Sequence, residues 1–170
     1  MTIAAQPIVA LEAELAEDGP AVEALIAAAF GPGRFVKTAQ RLRETNRPAP
    51  ELSFVARRQN RLQGCVRLWP IVIGQTPALF LGPIAVDAAC RDQGLGLALV
   101  RHACEAASAA GHKLVLLVGD EPFFARAGFS AAAAQGVVMP GPVDQRRVLL
   151  RTLTPGADAP VTGLAKPASW

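Results

Sequence analysis

The sequence predicts an α/β fold, with a mixed and mostly antiparallel central sheet that carries helices on both faces. Two short apolar runs, 52–57 and 62–69, flank the tight turn Gln59-Asn60, which is the pattern of a β-hairpin. Further along, an apolar run, an Ala/Leu-rich helical segment and a second apolar run follow one another, which is the pattern of a strand–helix–strand crossover. Because a hairpin is antiparallel and a crossover joins parallel strands, the sheet is predicted to be mixed.

The composition is that of a folded globular chain. The chain has 170 residues, 51% of them hydrophobic and 18% charged, which excludes a disordered protein. No apolar run is long enough for a membrane span, and the first residues lack the basic region of a signal peptide. The net charge of +3 suits a small polyanionic ligand and is too small to indicate nucleic-acid binding. We therefore expect small-molecule partners, with no nucleic acid and no membrane.

The cysteines indicate a reducing compartment. Cys65, Cys90 and Cys104 are odd in number, widely spaced and without a Cys-x-x-Cys pair. This usage predicts free thiols in the cytoplasm, with neither a disulfide framework nor a metal site.

The N-terminal third is predicted to contain one strand and two helices. Residues 8–15 form the first strand, and Asp18-Gly19-Pro20 introduces the first helix. Apolar residues recur at helical spacing and form one face of this helix: Val22, Leu25, Ile26 and Phe30. After Gly31-Pro32-Gly33, the stripe formed by Phe35, Ala39 and Leu42 predicts a second helix over 35–44. Residues 46–50 are predicted to form a loop.

The rest of the chain completes the sheet. Pro70 cannot donate a ladder hydrogen bond and predicts a bulge or bend after the hairpin. The fourth strand covers 78–86, the main helix 95–110 and the fifth strand 113–118, and Gly111 ends the helix. The predicted inner face of the main helix comprises Leu99, Ala103, Ala106 and Ala110. Closing strands are predicted over 136–139 and 146–153. The domain spans residues 1–153, and the Pro/Ala/Gly-rich residues 154–170 form an extended tail.

The junction between the fourth strand and the main helix predicts a phosphate cradle. It reads Arg91-Asp92-Gln93-Gly94-Leu95-Gly96. Its glycines allow a tight turn and a close approach of ligand to backbone, and the helix start leaves unpaired N–H groups with a partial positive charge. It is not a Walker loop, which needs four residues between its glycines followed by Lys-Ser/Thr. It is not the dinucleotide fingerprint either, because Leu99 stands where the third glycine belongs.

These six residues resemble the acyl-CoA signature of the GNAT superfamily of N-acetyltransferases, Gln/Arg-x-x-Gly-x-Gly/Ala. The segment 119–129 resembles the next block of that family, a short helix against CoA that ends in aromatic-x-x-x-Gly-Phe. Phe124, Gly128 and Phe129 hold those positions here. The resemblance covers about residues 7–152 and is strongest between Leu81 and Phe129.

The resemblance implies a GNAT-like sheet whose fourth and fifth strands splay apart near Val86 and Val118, and acetyl-CoA as the cosubstrate without a metal. The turn's N–H groups would bind the pyrophosphate, and Arg91 either assists them or caps the turn. The fourth strand's edge would pair with the pantetheine amides. The implied CoA-binding residues are Ile84, Ala85, Val86, Arg91, Asp92, Gln93, Gly94, Leu95, Gly96, Leu97, Phe123 and Phe124.

The implied reaction moves an acetyl group from acetyl-CoA to a primary amine of a small molecule or a protein. The amine must be neutral, and at pH 7 deprotonation costs about 4.6 kcal/mol because a lysine-type amine has a pKa of about 10.4. Asp120 and Glu121, at the end of the fifth strand, are the candidate bases. Asp120 before Glu-Pro equally fits a helix N-cap.

The usual proton donor of the family is missing. Many members have a tyrosine where this chain has Phe124, and this chain contains no tyrosine. Loss of a general acid costs about 10²- to 10⁴-fold in rate, although a thiolate with a pKa of about 8.5 also leaves unassisted. The alternative function is therefore a non-catalytic acyl-CoA-binding or sensing module of the same fold. Either protein is expected to be a monomer or a homodimer.

The remaining candidates have simpler interpretations. His102 and Cys90 are predicted to be packing residues, and His112 lies at the end of the main helix remote from the cradle, about 24 Å away by helix rise. Phe123 and Phe124 pack against CoA or the core. The basic residues of 34–47 form a solvated face, or else they contact an acidic acceptor or the CoA 3′-phosphate.

Overall fold

A central sheet with eight strands organises the computed structural model, which describes residues 9–155 and 160–168. The strands are β1 (Ala10–Ala13), β2 (Phe54–Arg58), β3 (Arg61–Ile73), β4 (Thr76–Val86), β5 (Leu114–Val118), β6 (Val137–Val138), β7 (Val148–Thr152) and β8 (Gly163–Pro167). The helices are α1 (Gly19–Phe30), α2 (Leu95–Ala109) and α3 (Glu121–Phe124), joined by short 3₁₀ segments. Neighbouring strands follow the order β1-β2-β3-β4-β5-β7, and β8 pairs with β3 and β6. Along that path, β4–β5 is parallel and the other described pairs are antiparallel, so the predicted mixed sheet is confirmed.

Helices cover both faces of the sheet because side chains alternate along each strand. On one face, α2 packs against a core that includes Ala56, Val66 and Leu79. On the other face, Val22 and Ile26 of α1 pack against Val55, Cys65 and Ala85. A third cluster on the α1 face joins Leu42 to Trp69 and Phe80. The α1 face is therefore divided between two apolar clusters.

The predicted strands and main helix are present with adjusted ends. Residue 8 of the predicted first strand lies outside the described residues. The inner face of α2 is rotated relative to the prediction, since Ala106 is half-buried and Ala110 is exposed. Its buried residues are Leu97, Leu99, Val100, Ala103, Cys104 and Ala107. Leu97 and Val100 widen the stripe because the helix start is enclosed by the ends of the strands.

The predicted second helix over 35–44 is wrong. Two 3₁₀ helices, Pro32–Val36 and Thr38–Leu42, replace it, and extended backbone at Lys37 separates them. Long-range contacts hold this geometry, because the Thr38 hydroxyl and the Arg41 guanidinium donate to the carbonyls of Pro142 and Pro140. Tertiary hydrogen bonds here override the apolar spacing.

The predicted bulge or bend at Pro70 is also wrong. Pro70 pairs in register with Leu79, and the shift between β3 and β4 lies at Arg67 instead. On the other edge of β3, pairing with β2 ends at Val66 and pairing with β8 begins at Ile71. Pro70 lies in the gap between these two neighbours, where a strand tolerates the missing N–H.

The segment predicted to be an extended tail contributes strand β8. Its residues pair with 71–73 of β3, and Ala165 is fully buried. Because β3 runs beyond the end of β2, its edge is open at this point, and β8 covers that edge. The Pro- and Gly-rich composition concealed this short strand.

Candidate active site

The predicted phosphate cradle, residues 91–97, forms a tight turn at the start of α2, and we call it the phosphate loop. Asp92 and Gly94 have left-handed backbone, with φ of 63° and 76°. Within the described residues, the N–H groups of Asp92, Gln93 and Gly94 donate no hydrogen bond. The first intrahelical bond runs from Ala98 N to Gly94 O, which leaves the N–H groups of the first turn of α2 without helical partners. The loop therefore presents several unpaired donors at the positive end of a helix.

Side chains in the phosphate loop leave these donors accessible. Arg91, Asp92, Gln93 and Gly94 are all exposed. The Arg91 side chain makes no hydrogen bond or ion pair in the described part of the chain, so it does not cap the turn. Its guanidinium is available to an anion bound on the loop.

Gly96 faces a gap between the end of β4 and α3. A Cβ placed there would lie 3.7 Å from Val86 Cγ2 and 3.8 Å from Phe123 Cζ. These distances are ordinary contacts, so the protein itself accommodates a methyl group at this position. A larger side chain would fill the gap, which lies directly beside the phosphate loop.

The two central parallel strands separate, as predicted. Their pairing consists of Leu79 with Val115 and Phe80 with Leu116. Beyond that point β5 remains paired with β7 as far as Val118. The edge of β4 that faces β5, including Ile84, Ala85 and Val86, is thus unpaired in the described structure.

A bulge accompanies this splay. Val66 pairs with Ile84 and Leu68 pairs with Leu81, so Gly82 and Pro83 together lie opposite Arg67. An extra residue in one strand bends that strand and increases its twist. The bulge thus redirects β4 just where it leaves β5.

A cleft of about 820 Å³ opens at the splay on the α1 face of the sheet. Its walls come from α1, the two 3₁₀ helices, the splayed ends of β4 and β5, and the loop before β7. Phe30 was predicted to lie on the buried face of α1, but it is exposed at this cleft. Phe30 is the last residue of α1, where the cleft opens. We call this space the acceptor cleft.

An ion-pair network centred on Arg67 contributes Arg67 and Glu23 to one wall of the acceptor cleft. Arg67 donates from Nε and Nη2 to the two carboxylate oxygens of Glu14, at 3.0 and 2.7 Å, and from Nη1 to Glu23 Oε1 at 2.7 Å. The side chains of Arg67 and Glu14 are each only 12% exposed. These bonds raise the pKa of Arg67 above its usual value, so the guanidinium remains charged. The network ties β3 to β1 and α1.

Asp120 and Glu121 occupy different environments. Asp120 lines the acceptor cleft, where its 78% exposed side chain pairs with Arg147 at 3.3 Å. It makes no side-chain cap on α3, contrary to the capping interpretation. Glu121 Oε1 accepts a hydrogen bond from Ala131 N at 2.9 Å, and Glu121 does not line the cleft. The structure therefore places one of the two candidate bases at the splay.

Phe124, which the family resemblance aligns with a tyrosine, lines the acceptor cleft. Its ring packs edge-on against Phe123 and Phe129, with centroid distances of 4.9 and 6.3 Å. It also covers Gly119, where a Cβ would overlap the ring. Phe123 is more exposed and faces Gly96. The two rings thus link the cleft to the gap beside the phosphate loop.

The cysteines and histidines take no part in this arrangement. All three cysteines are free and buried, and burial raises the pKa of Cys65 to about 12 and that of Cys104 to about 11. His102 packs edge-on against Phe54 at 4.5 Å. Within the described residues, no cluster of His, Cys, Asp and Glu could hold a metal, and no helix is long and apolar enough to span a membrane.

Sequence reasoning missed the ion-pair network of Glu14, Glu23 and Arg67. One signal was available, since Arg67 is a single charge between the apolar pairs Cys65-Val66 and Leu68-Trp69. A charge at such a position is buried only with partners, but the sequence does not indicate which carboxylates supply them.

Comparison with known proteins defines the class to which this fold and site belong. Residues 20–129 match the acetyltransferase (GNAT) family. This is well over half of the chain, and the chain belongs to that family. The predicted family, fold and N-acetyltransferase class are confirmed.

Individual relatives agree with this assignment. The chain is 27% identical over 159 residues to the uncharacterized N-acetyltransferase YhbS of Escherichia coli strain K12, covering 92% of this chain and 94% of the relative. The crystal structure of Escherichia coli YhbS in complex with CoA has a TM-score of 0.83 at 25% identity, covering 99% of this chain and 93% of that one. A GNAT acetyltransferase from Brucella melitensis in complex with acetyl-CoA shares the fold, with a TM-score of 0.70, 22% identity and coverage of 96% and 98%.

Proposed function

We propose that this protein transfers the acetyl group of acetyl-CoA to a primary amine bound in the acceptor cleft. One observation carries the proposal: the phosphate loop, the gap at Gly96, the unpaired edge of β4 and the acceptor cleft are contiguous. The phosphate loop offers N–H donors to a pyrophosphate, and the edge of β4 offers hydrogen bonds to an extended chain of amides. The acceptor cleft leaves a separate space for a second substrate. CoA-bound relatives of the same fold support this assignment.

The phosphate-loop N–H groups and Arg91 would hold the pyrophosphate. The backbone of Ile84, Ala85 and Val86 would pair with the pantetheine arm, and Phe123 and Phe124 would pack beside it. The thioester would then lie in the splay, at the inner end of the acceptor cleft. These residues bind and orient the substrate, which supplies much of the rate enhancement of a two-substrate reaction.

The chemical step requires a neutral amine and a departing thiolate. The amine nitrogen forms a bond to the acetyl carbonyl carbon, the C–S bond breaks, and the thiolate leaves with the electron pair. Asp120, the candidate base that lines the cleft, would accept the amine proton directly or through water. Phe124 offers no proton, so the thiolate leaves without help from that side chain.

Melting measurements with ligands test CoA binding. Acetyl-CoA at 100 times its Kd should stabilise the protein by about 2.7 kcal/mol, whereas ATP and NAD should not. Equal stabilisation by ATP would exclude a CoA-specific site.

Release of free thiol across a panel of amines tests catalysis. Asp120→Asn should lower kcat at least about tenfold, while Glu121→Gln should not, because Glu121 does not line the cleft. Binding of acetyl-CoA without turnover of any amine would favour the sensing module instead.

We also propose a cytoplasmic location and a monomeric or homodimeric state. Three free, buried cysteines support a reducing compartment. Sedimentation of the purified protein would determine the oligomeric state.

A further inference from the structure

Among the described residues, two half-buried cations of the acceptor cleft have no carboxylate partner, Arg34 and Arg43. Six basic side chains line the cleft: Arg34, Lys37, Arg41, Arg43, Arg67 and Arg147. Arg67 and Arg147 are paired with carboxylates. Lys37 and Arg41 are exposed. Arg34 and Arg43 are half-buried, and within the described residues no carboxylate oxygen lies within 4.0 Å of either guanidinium. Arg34 Nη1 already donates to Gly31 O at 2.8 Å, and its guanidinium lies over the Phe35 ring of its own segment.

The surroundings of Arg43 hold the guanidinium in place but use few of its donors. Its Nε donates to Gln40 Oε1 at 3.3 Å, and its guanidinium carbon lies 5.9 Å from the centroid of the Phe80 ring. A Cβ at Gly82 would be 3.5 Å from Arg43 Nη1. In the described structure neither terminal nitrogen makes a hydrogen bond. Arg43 is thus positioned beside the bulge of β4, next to the splay, with its two terminal nitrogens available.

A guanidinium in this position is electrostatically unfavourable. Burial lowers the pKa of Arg43 to about 10, and the positive charge of Arg34 contributes in the same direction. Glu44 also lines the cleft, but it is exposed and forms no ion pair with a described residue. An anion bound between Arg43 and the splay would offset this cost.

We propose that the acceptor amine carries a carboxylate, as a free amino acid does, and that Arg43 binds this carboxylate through Nη1 and Nη2. The proposal rests on the proposed function, because it assigns the substrate of the same cleft. The planar fork of arginine matches the two oxygens of a carboxylate in a bidentate pair. Because Arg43 lies next to the splay where the thioester would be presented, the anion and the amine must be close together in the acceptor. This favours a small amino acid substrate over a lysine side chain of a protein.

Matched pairs of acceptors test the proposal in the wild-type protein. L-Phenylalanine is compared with phenethylamine and with phenylalanine amide, and L-leucine with isoamylamine, by thiol release at saturating acetyl-CoA. We expect kcat/KM to be at least about tenfold higher for the carboxylate member of each pair. Equal or faster acetylation of the partners without a carboxylate would overturn the proposal and leave the proposed function intact.

Substitution of the arginine sharpens the test. Arg43→Gln should lower kcat/KM for the amino acid by about 10- to 100-fold and change that for the decarboxylated amine less than about threefold. Arg43→Lys keeps the charge but not the planar fork, so its kcat/KM for the amino acid should lie between those of the wild type and Arg43→Gln. Arg47→Gln is the matched control, since Arg47 is exposed in the same segment and does not line the cleft. A similar loss for both acceptors in Arg43→Gln would contradict a carboxylate site.

A binding measurement separates this inference from the proposed activity. Titration of amino acids into the protein saturated with CoA, by calorimetry, should show binding that Arg43→Gln weakens and Arg47→Gln does not. If no amine is acetylated but this Arg43-dependent binding is present, the carboxylate site stands and the proposed catalysis fails. If amines are acetylated but no carboxylate compound binds at about 10 mM, a concentration far above typical KM values, the carboxylate site fails and the proposed function stands.

Discussion

The two sides of the splay would hold their ligands by different means. On the phosphate-loop side, the donors are backbone N–H groups from one continuous segment. The lack of a side chain at Gly96 leaves space for a ligand beside them. On the acceptor side, the cleft is formed by charged and aromatic side chains from several separate segments of the chain. A backbone site depends on local conformation, whereas a side-chain site depends on which distant residues meet.

This difference has an energetic consequence. Changes in the phosphate loop should affect ligand binding more than folding, because its N–H groups have no partners to lose within the protein. Changes in the network of Arg67 and Glu14 should affect folding, because these two side chains are largely buried and paired. Four predictions test this contrast.

The largest effect is expected at Arg67. Arg67→Ala would leave the buried carboxylate of Glu14 without a partner, which typically costs about 3–5 kcal/mol of folding free energy. Urea denaturation measures the loss. Arg146→Ala is the control, because the Arg146 side chain is 89% exposed and pairs only with Asp144 at the surface, so its urea midpoint should not change. If Arg67→Ala had the same urea midpoint as the wild type, the network would contribute nothing to the free energy of unfolding.

The second effect separates binding from stability at the phosphate loop. Gly96→Val should weaken acetyl-CoA binding at least about 100-fold. At 100 times the wild-type Kd, the stabilisation by acetyl-CoA then falls from about 2.7 kcal/mol to about 0.4 kcal/mol or less. Gly96→Ala should keep the wild-type urea midpoint without ligand, because its Cβ makes ordinary contacts with Val86 and Phe123. Gly94→Val should lower both the affinity for acetyl-CoA and the urea midpoint, because a residue with a side chain is strained at the φ of 76° that Gly94 adopts.

Isothermal titration and urea curves of the glycine variants check this prediction together. Gly96→Ala should bind more tightly than Gly96→Val, because a methyl group fills less of the gap. If Gly96→Val bound acetyl-CoA normally, the pyrophosphate would not lie against this helix turn.

The same contrast explains what the sequence could predict. The phosphate loop depends on a local pattern of a strand, two glycines two residues apart and an amphipathic helix, and the hairpin depends on two apolar runs around Gln59-Asn60. The splay was predicted from the resemblance to the GNAT family and not from a local pattern. The acceptor cleft depends on contacts between residues far apart in the chain, such as the bonds from Arg67 to Glu14, 53 positions away. Single-sequence patterns carry no information about which of several carboxylates meets a given arginine.

The wrong predictions have the same origin. The apolar residues of 35–44 have helical spacing, yet the Phe35 side chain is 56% exposed. Hydrogen bonds from Thr38 and Arg41 to the loop at 140–142 determine the backbone conformation of this segment instead. Strand β8 was missed because an open edge of β3, and not its own composition, favours its pairing. In each case a distant partner outweighed local preference.

A third, smaller effect is expected in acid. Asp18 precedes α1, which carries Glu23 of the cleft wall, and its buried carboxylate accepts hydrogen bonds from Arg57 Nη2 at 2.8 Å and Leu15 N at 3.0 Å. The Arg57 bond holds the pKa of Asp18 below its ordinary value of 3.8. The folded state therefore binds this proton more weakly than the unfolded state, so the contribution is complete above pH 3.8 and is lost as the pH falls through the folded pKa.

Asp18→Asn tests this pH dependence. At pH 7 it should lower the free energy of unfolding by about 2 kcal/mol, the usual size for a hydrogen bond to a charged group. The difference between variant and wild type should shrink as the pH falls below 3.8. Urea denaturation at pH 7 and in acid measures it, and a difference that grew in acid would contradict the sign.

The smallest effect is expected at Phe124, where the two sides of the splay meet. Phe124→Tyr adds one hydroxyl to a ring that already packs against Phe123 and Phe129, so acetyl-CoA affinity should change less than about threefold. If the hydroxyl reaches the departing sulfur it can donate a proton, and kcat rises; if it does not, kcat stays the same. Either outcome fits unassisted departure of a thiolate whose ordinary pKa is about 8.5.

A fall in kcat at unchanged affinity would mean that the bare ring itself is required for catalysis. If the wild type turned over no amine and Phe124→Tyr failed to restore turnover, the missing tyrosine would not explain the inactivity, and the sensing module would be the better description.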